Sequence, residues 1–306
     1  MELGRFAPSP SGRMHLGNVF SALLAWLSAK SAGGEVLLRI EDLDPARSRE
    51  EYAGAIMEDF RWLGLSWDRR SENQSCRGEI YTAAIETLQA QALVYPCYCT
   101  RDQLHATSAP HASDGRVIYP GFCRDLTEAQ RSQMKKAPSL RLRVPHETIV
   151  FTDGLQGEQR MDLAAEWGDF IIRRADGVAA YQLAVVVDDG QSGVTQVVRG
   201  RDLLSSTPAQ LYLYRLLDLP APEFYHVPML LAPDGRRLSK RDRDLDLGVL
   251  RRLWPPEQII GLLAHLCGLI PRWEKVSAAE LISEFSWDKI CREDIVLDIQ
   301  KLRAGV

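Results

Sequence analysis

The stretch "RFAPSPSGRMHLGN", residues 5–18, decides the fold of this 306-residue chain. A short apolar segment leads into prolines, serines and a glycine, and then into His15, Gly17 and the apolar run "VFSALLAWLSA". Proline, serine and glycine are typical of a tight loop, and the apolar run predicts a helix over residues 17–30. We therefore predict a strand at residues 2–6, a rigid loop, and a helix with His15 at its N-terminus.

The sequence around this loop predicts an α/β fold with a parallel sheet. The run "EVLLRIED", residues 35–42, is typical of a buried strand. A strand, a helix and a second strand in this order form a βαβ unit with a right-handed crossover. The run "TQVVRG" predicts another buried strand, and Thr207-Pro208 predicts a helix with the threonine as its cap.

Three further segments have patterns that predict local structure. Ser48 followed by Glu51 predicts a helix that starts with a capping box. The stretch "DFIIRRADGVAAYQLAVVVDD" predicts two strands joined by a turn at Asp176-Gly177. After about residue 245, three segments predict small helices: "PPEQIIGLLAHLCGL", "SAAELISEF" and "REDIVLDIQKL".

The composition is that of an ordinary globular protein, with 45% hydrophobic and 25% charged residues and a net charge of −4. A polyanionic partner must therefore bind a local basic patch, since a chain with a negative net charge does not attract polyanions as a whole. The sequence shows no signal-peptide pattern and no long apolar run, so we expect a cytoplasmic chain with reduced cysteines and no membrane contact. The candidate basic patch consists of Arg236, Arg237, Arg241 and Arg243, together with arginines near the predicted ligand site.

Charged residues follow several of the predicted strands. Glu41 ends the second strand, Arg199 follows "TQVV", and "RRLSKR" follows "MLLA". Ligands of doubly wound sheets bind beyond the carboxyl ends of the strands, so we expect these groups to face one crevice. A helix N-terminus favours anions, and Lys240 can neutralise phosphate. This crevice therefore suits a nucleoside triphosphate and a small charged substrate.

Three cysteines cluster in a polar, loop-rich stretch between residues 97 and 125. Cys97, Cys99 and Cys123 with one further donor would make a closed tetrahedral zinc site, which would staple this insertion. From the chemistry alone, His105 or His111 would be the commoner fourth ligand. The other cysteines, Cys76, Cys267 and Cys291, are interpreted as buried or incidental thiols.

These motifs resemble those of the glutamyl-type class I aminoacyl-tRNA synthetases. "HLGN" stands at the His-Ile-Gly-His signature of that family, "RRLSKR" at its Lys-Met-Ser-Lys-Ser loop, and "RIEDLD" at the strand beside the amino acid. The resemblance covers roughly residues 1–245. Only 66 residues follow Lys240, where the long members carry an anticodon-binding region. The chain is therefore most similar to the short, glutamyl-Q-type branch, in which "CYC…YPGFC" is also expected.

The resemblance implies a class I, Rossmann-type parallel sheet with a zinc-bearing insertion and a small helical C-terminal part. The first half of the catalytic domain would span residues 1–95, and the insertion residues 96–190. The second half, with the Ser-Lys loop, would span residues 191–240. Residues 241–306 would form the helical part that contacts the tRNA stem.

The resemblance also implies an ATP-dependent ligase. Short members convert L-glutamate to glutamyl-adenylate and transfer it to queuosine in the anticodon loop of tRNA(Asp), without charging the 3′ end. Mg²⁺ would accompany the ATP, one Zn²⁺ would be structural, and we expect a monomer. Three alternatives remain open: a truncated glutamyl-tRNA synthetase that charges the 3′ terminus, a non-catalytic tRNA- or partner-binding module, and a nucleotidyltransferase acting on another small acid.

Site residues follow from the same resemblance, position by position. Three positions depart from the family: Asn18 replaces the second histidine of the first signature, and Arg237 and Arg241 replace the first lysine and the last serine of the second. The resemblance favours Tyr119 as the fourth zinc ligand. The implied residues are His15 and Lys240 for catalysis; Arg5, Ser9, Glu41, Tyr181 and Arg199 for glutamate; His15, Gly17, Asn18, Ser239 and Lys240 for ATP; and Cys97, Cys99, Tyr119 and Cys123 for zinc.

Overall fold

The computed structural model describes residues 1–106, 118–236 and 246–298, and its N-terminal part is the predicted α/β unit. Strands β1, β2 and β3 are parallel neighbours in that order, with Leu3 opposite Glu35. The pairing continues past β2, where the Glu41 N–H donates to the Pro8 carbonyl at 3.0 Å. The elements are β1 (Leu3–Phe6), α1 (Leu16–Ser31), β2 (Glu35–Leu38), α2 (Glu50–Trp62), β3 (Arg69–Arg70) and α3 (Gly78–Ala90).

The next part of the chain is mostly antiparallel. One sheet has the order β4-β5-β8, and β6 pairs with β7 as a hairpin. The buried Asp169 carboxylate links this sheet, because it accepts from the Tyr95 hydroxyl at 2.6 Å and from the Val144 N–H at 2.7 Å. The elements are β4 (Val94–Cys97), α4 (Arg101–Ala106), α5 (Glu128–Ser132), β5 (Ser139–Leu142), β6 (Thr148–Asp153), β7 (Gly157–Asp162), α6 (Leu163–Glu166) and β8 (Phe170–Arg173).

Helix α7 (Tyr181–Ser192) corrects the prediction of a strand in this region. The turn at Asp176-Gly177 is present, but the valine-rich segment after it is helical. The helix packs against α3 and against the helix that begins at Thr207, and nearly all of its middle residues are buried. A helix that is apolar on all sides has no visible polar face, so its sequence could not be distinguished from a buried strand. Tertiary burial here outweighs the strand preference of valine.

A second parallel pair, β9 (Gln196–Gly200) and β10 (Glu223–Val227), lies beside the sheet that contains β1 and β2. The Thr195 N–H donates to the Leu3 carbonyl at 3.0 Å, which brings β9 beside β1. The carboxyl ends of both parallel pairs therefore lie on the same side of the fold. The elements are β9 (Gln196–Gly200), α8 (Thr207–Leu216), β10 (Glu223–Val227) and β11 (Leu230–Leu231); β9 and β10 are parallel.

Two predicted helix starts are wrong in detail. Helix α2 begins at Glu50 after Arg49, which makes no side-chain cap, so Ser48 and Glu51 do not form a capping box. Thr207 is the first residue of α8 rather than its cap. The Thr207 hydroxyl instead accepts a hydrogen bond from Arg199 Nη2 at 2.9 Å, so a tertiary contact uses the group that the sequence offers to the helix.

The C-terminal part is only partly helical. Helices α9 (Leu247–Leu253) and α10 (Pro256–Leu266) are present, and α10 confirms one predicted helix. Residues 278–284 form turns instead of a helix, and β12 (Ile295–Val296) replaces the start of the last predicted one by pairing with β11. Across the described ranges, no helix combines the length and the apolar character that crossing a membrane requires.

A buried charged cluster connects α7 to the first sheet. Arg39 is completely buried; its Nη1 donates to Asp189 Oδ1 at 2.5 Å and its Nη2 to Glu41 Oε1 at 3.0 Å, and its Nε lies 3.7 Å from Asp188 Oδ2. Burial opposes the charge of Arg39, but the three carboxylates outweigh it and raise the pKa of this guanidinium. The side chains of Gln74, Arg77 and Tyr81 also donate to Asp188.

We expect Arg39→Ala to reduce the free energy of unfolding by about 3–5 kcal/mol, since it leaves Asp189 and Glu41 buried without their cation. Urea denaturation measures this change. Arg174→Ala is the matched control, because Arg174 pairs with Asp176 on the surface and its loss should cost less than about 1 kcal/mol. Equal losses in the two variants would contradict the assignment of a stabilising role to the buried cluster.

Candidate active site

A cavity of about 680 Å³ lies at the carboxyl ends of β1 and β9 and over the N-terminus of α1. It brings together predicted residues that are far apart in the sequence. Ser239 and Lys240 lie outside the described residues, as do Arg237, Arg241 and Arg243. The predicted site residues that line the cavity are Arg5, Ser9, His15, Gly17, Asn18, Glu41, Tyr181 and Arg199.

His15 is the N-cap of α1. Its Nδ1 accepts from the Gly17 N–H at 3.2 Å, and the Asn18 side-chain oxygen accepts from the His15 N–H at 3.1 Å. Because Nδ1 is an acceptor, the proton of the neutral ring is on Nε2, which makes Nε2 a donor. A helix N-terminus with such a donor favours an anion. Asn18, which departs from the family signature, thus has a structural use as half of the capping box.

Gly17 leaves room for this arrangement. A Cβ at position 17 would lie 3.1 Å from both Nδ1 and Cε1 of His15. Such a contact is tighter than ordinary packing, so any larger residue would push the imidazole away from the first turn of α1. The glycine therefore allows the His15 ring to lie against the first turn of α1.

Arg5 and Glu41 place opposite charges at one end of the cavity. Arg5 Nε lies 3.5 Å from Asp189 Oδ1, and within the described residues it has no hydrogen-bond partner. Burial raises the pKa of Glu41, while Arg39 and Arg5 act to lower it. Tyr181, the first residue of α7, stands in the cavity wall with 37% of its surface exposed.

Arg199 is a second guanidinium at the cavity and is 5% exposed. Its Nε donates to His226 Nε2 and its Nη2 to the Thr207 hydroxyl, both at 2.9 Å. Among the described residues, nothing hydrogen-bonds to its Nη1. Two guanidinium groups and one carboxylate in one cavity match the charges of an α-amino acid with an acidic side chain, and the capped helix matches a phosphate.

The residues behind the cavity were not identified from the sequence. Arg39, Asp189 and His226 hold the lining side chains in place, but none of them was predicted as a site residue, although Arg39 begins the motif "RIEDLD". The sequence did contain one signal for two of them: charged residues stand within or next to the apolar runs "EVLLRIED" and "AVVVDDG". A charge in a buried segment requires a partner, so such residues are candidates for buried ion pairs. That signal indicates burial without indicating the partner.

The predicted metal-ligating residues also come together. The Sγ atoms of Cys97, Cys99 and Cys123 all lie within 4.8 Å of one another, and those of Cys99 and Cys123 are 3.7 Å apart. The Tyr119 hydroxyl oxygen lies 3.5 Å from Cys97 Sγ and 3.7 Å from Cys99 Sγ. Sulfur ligands at about 2.3 Å from a tetrahedral zinc ion are about 3.8 Å apart, so the donor set suits such an ion. The His105 side chain and all of His111 are outside the described residues.

Comparison with known proteins agrees with this geometry. The chain is 49% identical to a protein named glutamyl-Q tRNA(Asp) synthetase from Symbiobacterium thermophilum, over 99% of this chain and 98% of that one. It is 45% identical to a glutamate–tRNA ligase 2 from Alkalilimnicola ehrlichii, over 86% of this chain and 58% of that one.

A solved structure and a family-level comparison extend this result. The crystal structure of a glutamate tRNA ligase from Elizabethkingia meningosepticum, in complex with its amino acid, superimposes with a TM-score of 0.84 at 28% identity. It covers 99% of this chain and 68% of that one. The sequence model of the catalytic domain of class I tRNA synthetases (E and Q) matches residues 3–303. The chain therefore belongs to the class I tRNA synthetases of the glutamate and glutamine type.

Proposed function

We propose that this protein activates L-glutamate with ATP to form glutamyl-adenylate and transfers the glutamate to queuosine in the anticodon loop of tRNA(Asp), without charging the 3′ end. The observation that carries the activation step is the cavity in which Arg5, Arg199 and Glu41 face the capped start of α1. The acceptor is inferred from the names of the relatives, such as the one from Symbiobacterium thermophilum. Because the substrates are ATP and tRNA, we expect the reaction in the cytoplasm.

The charges of the cavity support glutamate as the amino acid. Glutamate has two carboxylates and one ammonium group, which complement two guanidinium groups and the Glu41 carboxylate. Arg199 would bind a carboxylate through its unpaired Nη1, and Arg5 would bind the other. Ser9 and Tyr181 would complete the pocket as hydrogen-bonding groups.

The N-terminus of α1 would hold the triphosphate. His15 Nε2 and the backbone around Gly17 and Asn18 would meet the phosphates, and Ser239 and Lys240 would act from the second signature loop. The glutamate carboxylate, already ionised, attacks the α-phosphorus and pyrophosphate leaves. No protein nucleophile is needed, so catalysis consists of positioning and charge stabilisation. Mg²⁺ would bind mainly to the triphosphate and neutralise its charge.

The cysteine cluster would hold one structural Zn²⁺ with Tyr119 as the fourth ligand. The position of the Tyr119 oxygen beside Cys97 Sγ and Cys99 Sγ supports this assignment over His105 or His111. Three thiolates and a phenolate leave no open coordination position, so the ion would stabilise the insertion without taking part in the reaction.

A second candidate function is charging of the tRNA 3′ end. The relative from Alkalilimnicola ehrlichii, named a glutamate–tRNA ligase, favours it. The same activation site would serve both reactions. We place queuosine first because the relative with the glutamyl-Q name is more similar, at 49% identity over nearly the whole chain.

We expect labelled glutamate, supplied with ATP, to appear only on tRNA from cells that make queuosine. The physical reason is that the proposed acceptor is a hydroxyl group of the queuosine diol, which tRNA without queuosine lacks. Label on both tRNA preparations that disappears when the 3′ end is blocked would support 3′ charging instead. Absence of label from both preparations would contradict both functions and favour a binding module or an enzyme for another acid.

Gly17→Ala should slow glutamate-dependent ATP–pyrophosphate exchange about tenfold, since the added Cβ shifts a phosphate-binding group by a few tenths of an ångström, less than the ~1 Å misplacement that costs about 100-fold. The displaced group is the His15 ring. Gly54→Ala is the matched control, because a Cβ at position 54 in α2 meets nothing within 4 Å. Its exchange rate should equal that of the wild type. A Gly17→Ala enzyme as fast as this control would exclude the proposed role of His15.

Purified protein should contain one zinc ion per chain, and Cys99→Ser should remove most of it and lower the Tm, since a structural zinc site contributes folding free energy. Elemental analysis and thermal unfolding measure the two effects. Cys76→Ser is the control, because Cys76 is exposed and lies outside the cluster. Tyr119→Phe tests the fourth ligand: full zinc retention in this variant would exclude the phenol.

A further inference from the structure

A buried row of three side chains runs from the β6–β7 hairpin to the cavity. His226 on β10 lies opposite Arg199 on β9 in the parallel register. The His226 Nδ1 atom is 2.6 Å from Asp153 Oδ2, and its Nε2 is 2.9 Å from Arg199 Nε. All three side chains are buried, and only Arg199 lines the cavity. We call this row the Asp153–His226–Arg199 relay.

The available donors and acceptors determine which atom carries the hydrogen in each hydrogen bond of the relay. Asp153 Oδ1 accepts from the N–H groups of Leu155, Gln156 and His226, at 3.1, 2.8 and 3.2 Å. Burial alone would raise the pKa of Asp153, but the hydrogen bond from His226 and these backbone groups lower it, so the group is a carboxylate. A carboxylate only accepts and a guanidinium only donates. The His226 proton must therefore be on Nδ1, with Nε2 accepting from Arg199.

The remaining contacts of Arg199 complete its orientation. Nη2 donates to the Thr207 hydroxyl at 2.9 Å, and the Leu203 carbonyl lies 3.4 Å away. Nη1 has no hydrogen-bond partner in the part of the chain that the structure describes. The protein thus fixes the plane of the guanidinium through two of its nitrogens and leaves the third for a ligand.

We propose that Asp153 and His226 are positioning residues: through the Nδ1–H tautomer of His226 they hold Arg199 in the plane that receives a substrate carboxylate. This inference rests on the proposed function, in which that carboxylate belongs to glutamate. A neutral imidazole suits the task because it accepts one hydrogen bond without adding a second cation beside Arg199. Burial, opposed by Asp153, lowers the pKa of His226 to about 4, which keeps the ring neutral near pH 7.

Asp153→Asn tests the relay with little change of shape. The amide oxygen of the asparagine would still accept from the three backbone N–H groups. Its NH₂ group would then face His226 Nδ1. The imidazole must accept there, so its proton moves to Nε2 and meets the Arg199 Nε–H, donor against donor. The KM for glutamate in ATP–pyrophosphate exchange should rise roughly 10- to 100-fold, as when other orienting partners are lost. The KM for ATP should stay within about twofold of the wild type.

Asp169→Asn is the matched control. Asp169 is an equally buried carboxylate that accepts from Tyr95, Val144 and Arg124, and it does not line the cavity. The Asp169→Asn substitution removes the same charge from the same kind of environment as Asp153→Asn. It should leave the KM for glutamate unchanged, because Asp169 does not contact Arg199 or the cavity. Equal rises in the KM for glutamate in the two variants, or an unchanged KM in Asp153→Asn, would overturn the proposal.

The tautomer can be measured without any substrate. The His226 signals in long-range proton–nitrogen spectra can be assigned because they are missing from the spectrum of His226→Gln. In the wild type these signals should show a protonated Nδ1 and an unprotonated Nε2. Asp153→Asn should reverse this pattern. A wild-type ring protonated on Nε2 would overturn the relay whatever the substrate. A wild-type protein with the expected tautomer and no glutamate-dependent exchange would instead overturn the proposed function.

Discussion

The contact on which the rest of this structure depends is the one between Arg39 and the carboxylates of Asp188 and Asp189. Arg39 follows β2 and is completely buried, so its charge requires partners, and α7 supplies two of them, Asp188 and Asp189, beside Glu41. Separating α7 from the sheet would leave Arg39 with Glu41 alone and would take the guanidinium away from Asp189. This constraint holds α7 beside the ends of β1 and β2, and Tyr181, the first residue of α7, lines the same cavity as Arg5 and Glu41.

The charged side chains of the cavity are held in place by other groups of the protein. Arg199 donates from Nε and Nη2 to protein atoms while its Nη1 has no hydrogen-bond partner in the described ranges, and Arg5 Nε lies 3.5 Å from Asp189 Oδ1. His15 caps α1 through Nδ1, which accepts from the Gly17 N–H. Each group is therefore oriented before a ligand arrives. Such preorganisation lowers the cost of ordering the site when the substrate binds.

The differences between expectation and structure have one physical origin. Segments with a local signal were predicted correctly: the loop after β1 with its proline and glycine, the apolar helix α1, and the amphipathic helix α10. The segment at α7 was wrong because burial on all sides removes the periodicity that separates helix from strand. Thr207 was assigned to a helix cap because its distant partner, Arg199, cannot be read from neighbouring residues.

The sequence by itself determined the class of the fold, the family, and eight of the residues that line the described cavity, because the two signature stretches and the cysteine spacing are local patterns. Only the tertiary structure decided how these residues act together. It pairs Arg39 with α7, orients Arg199 through His226 and Asp153, and brings the Tyr119 oxygen to the cysteine sulfurs. These contacts join residues far apart in the chain. Their geometry depends on how whole elements pack, which no short stretch of sequence encodes.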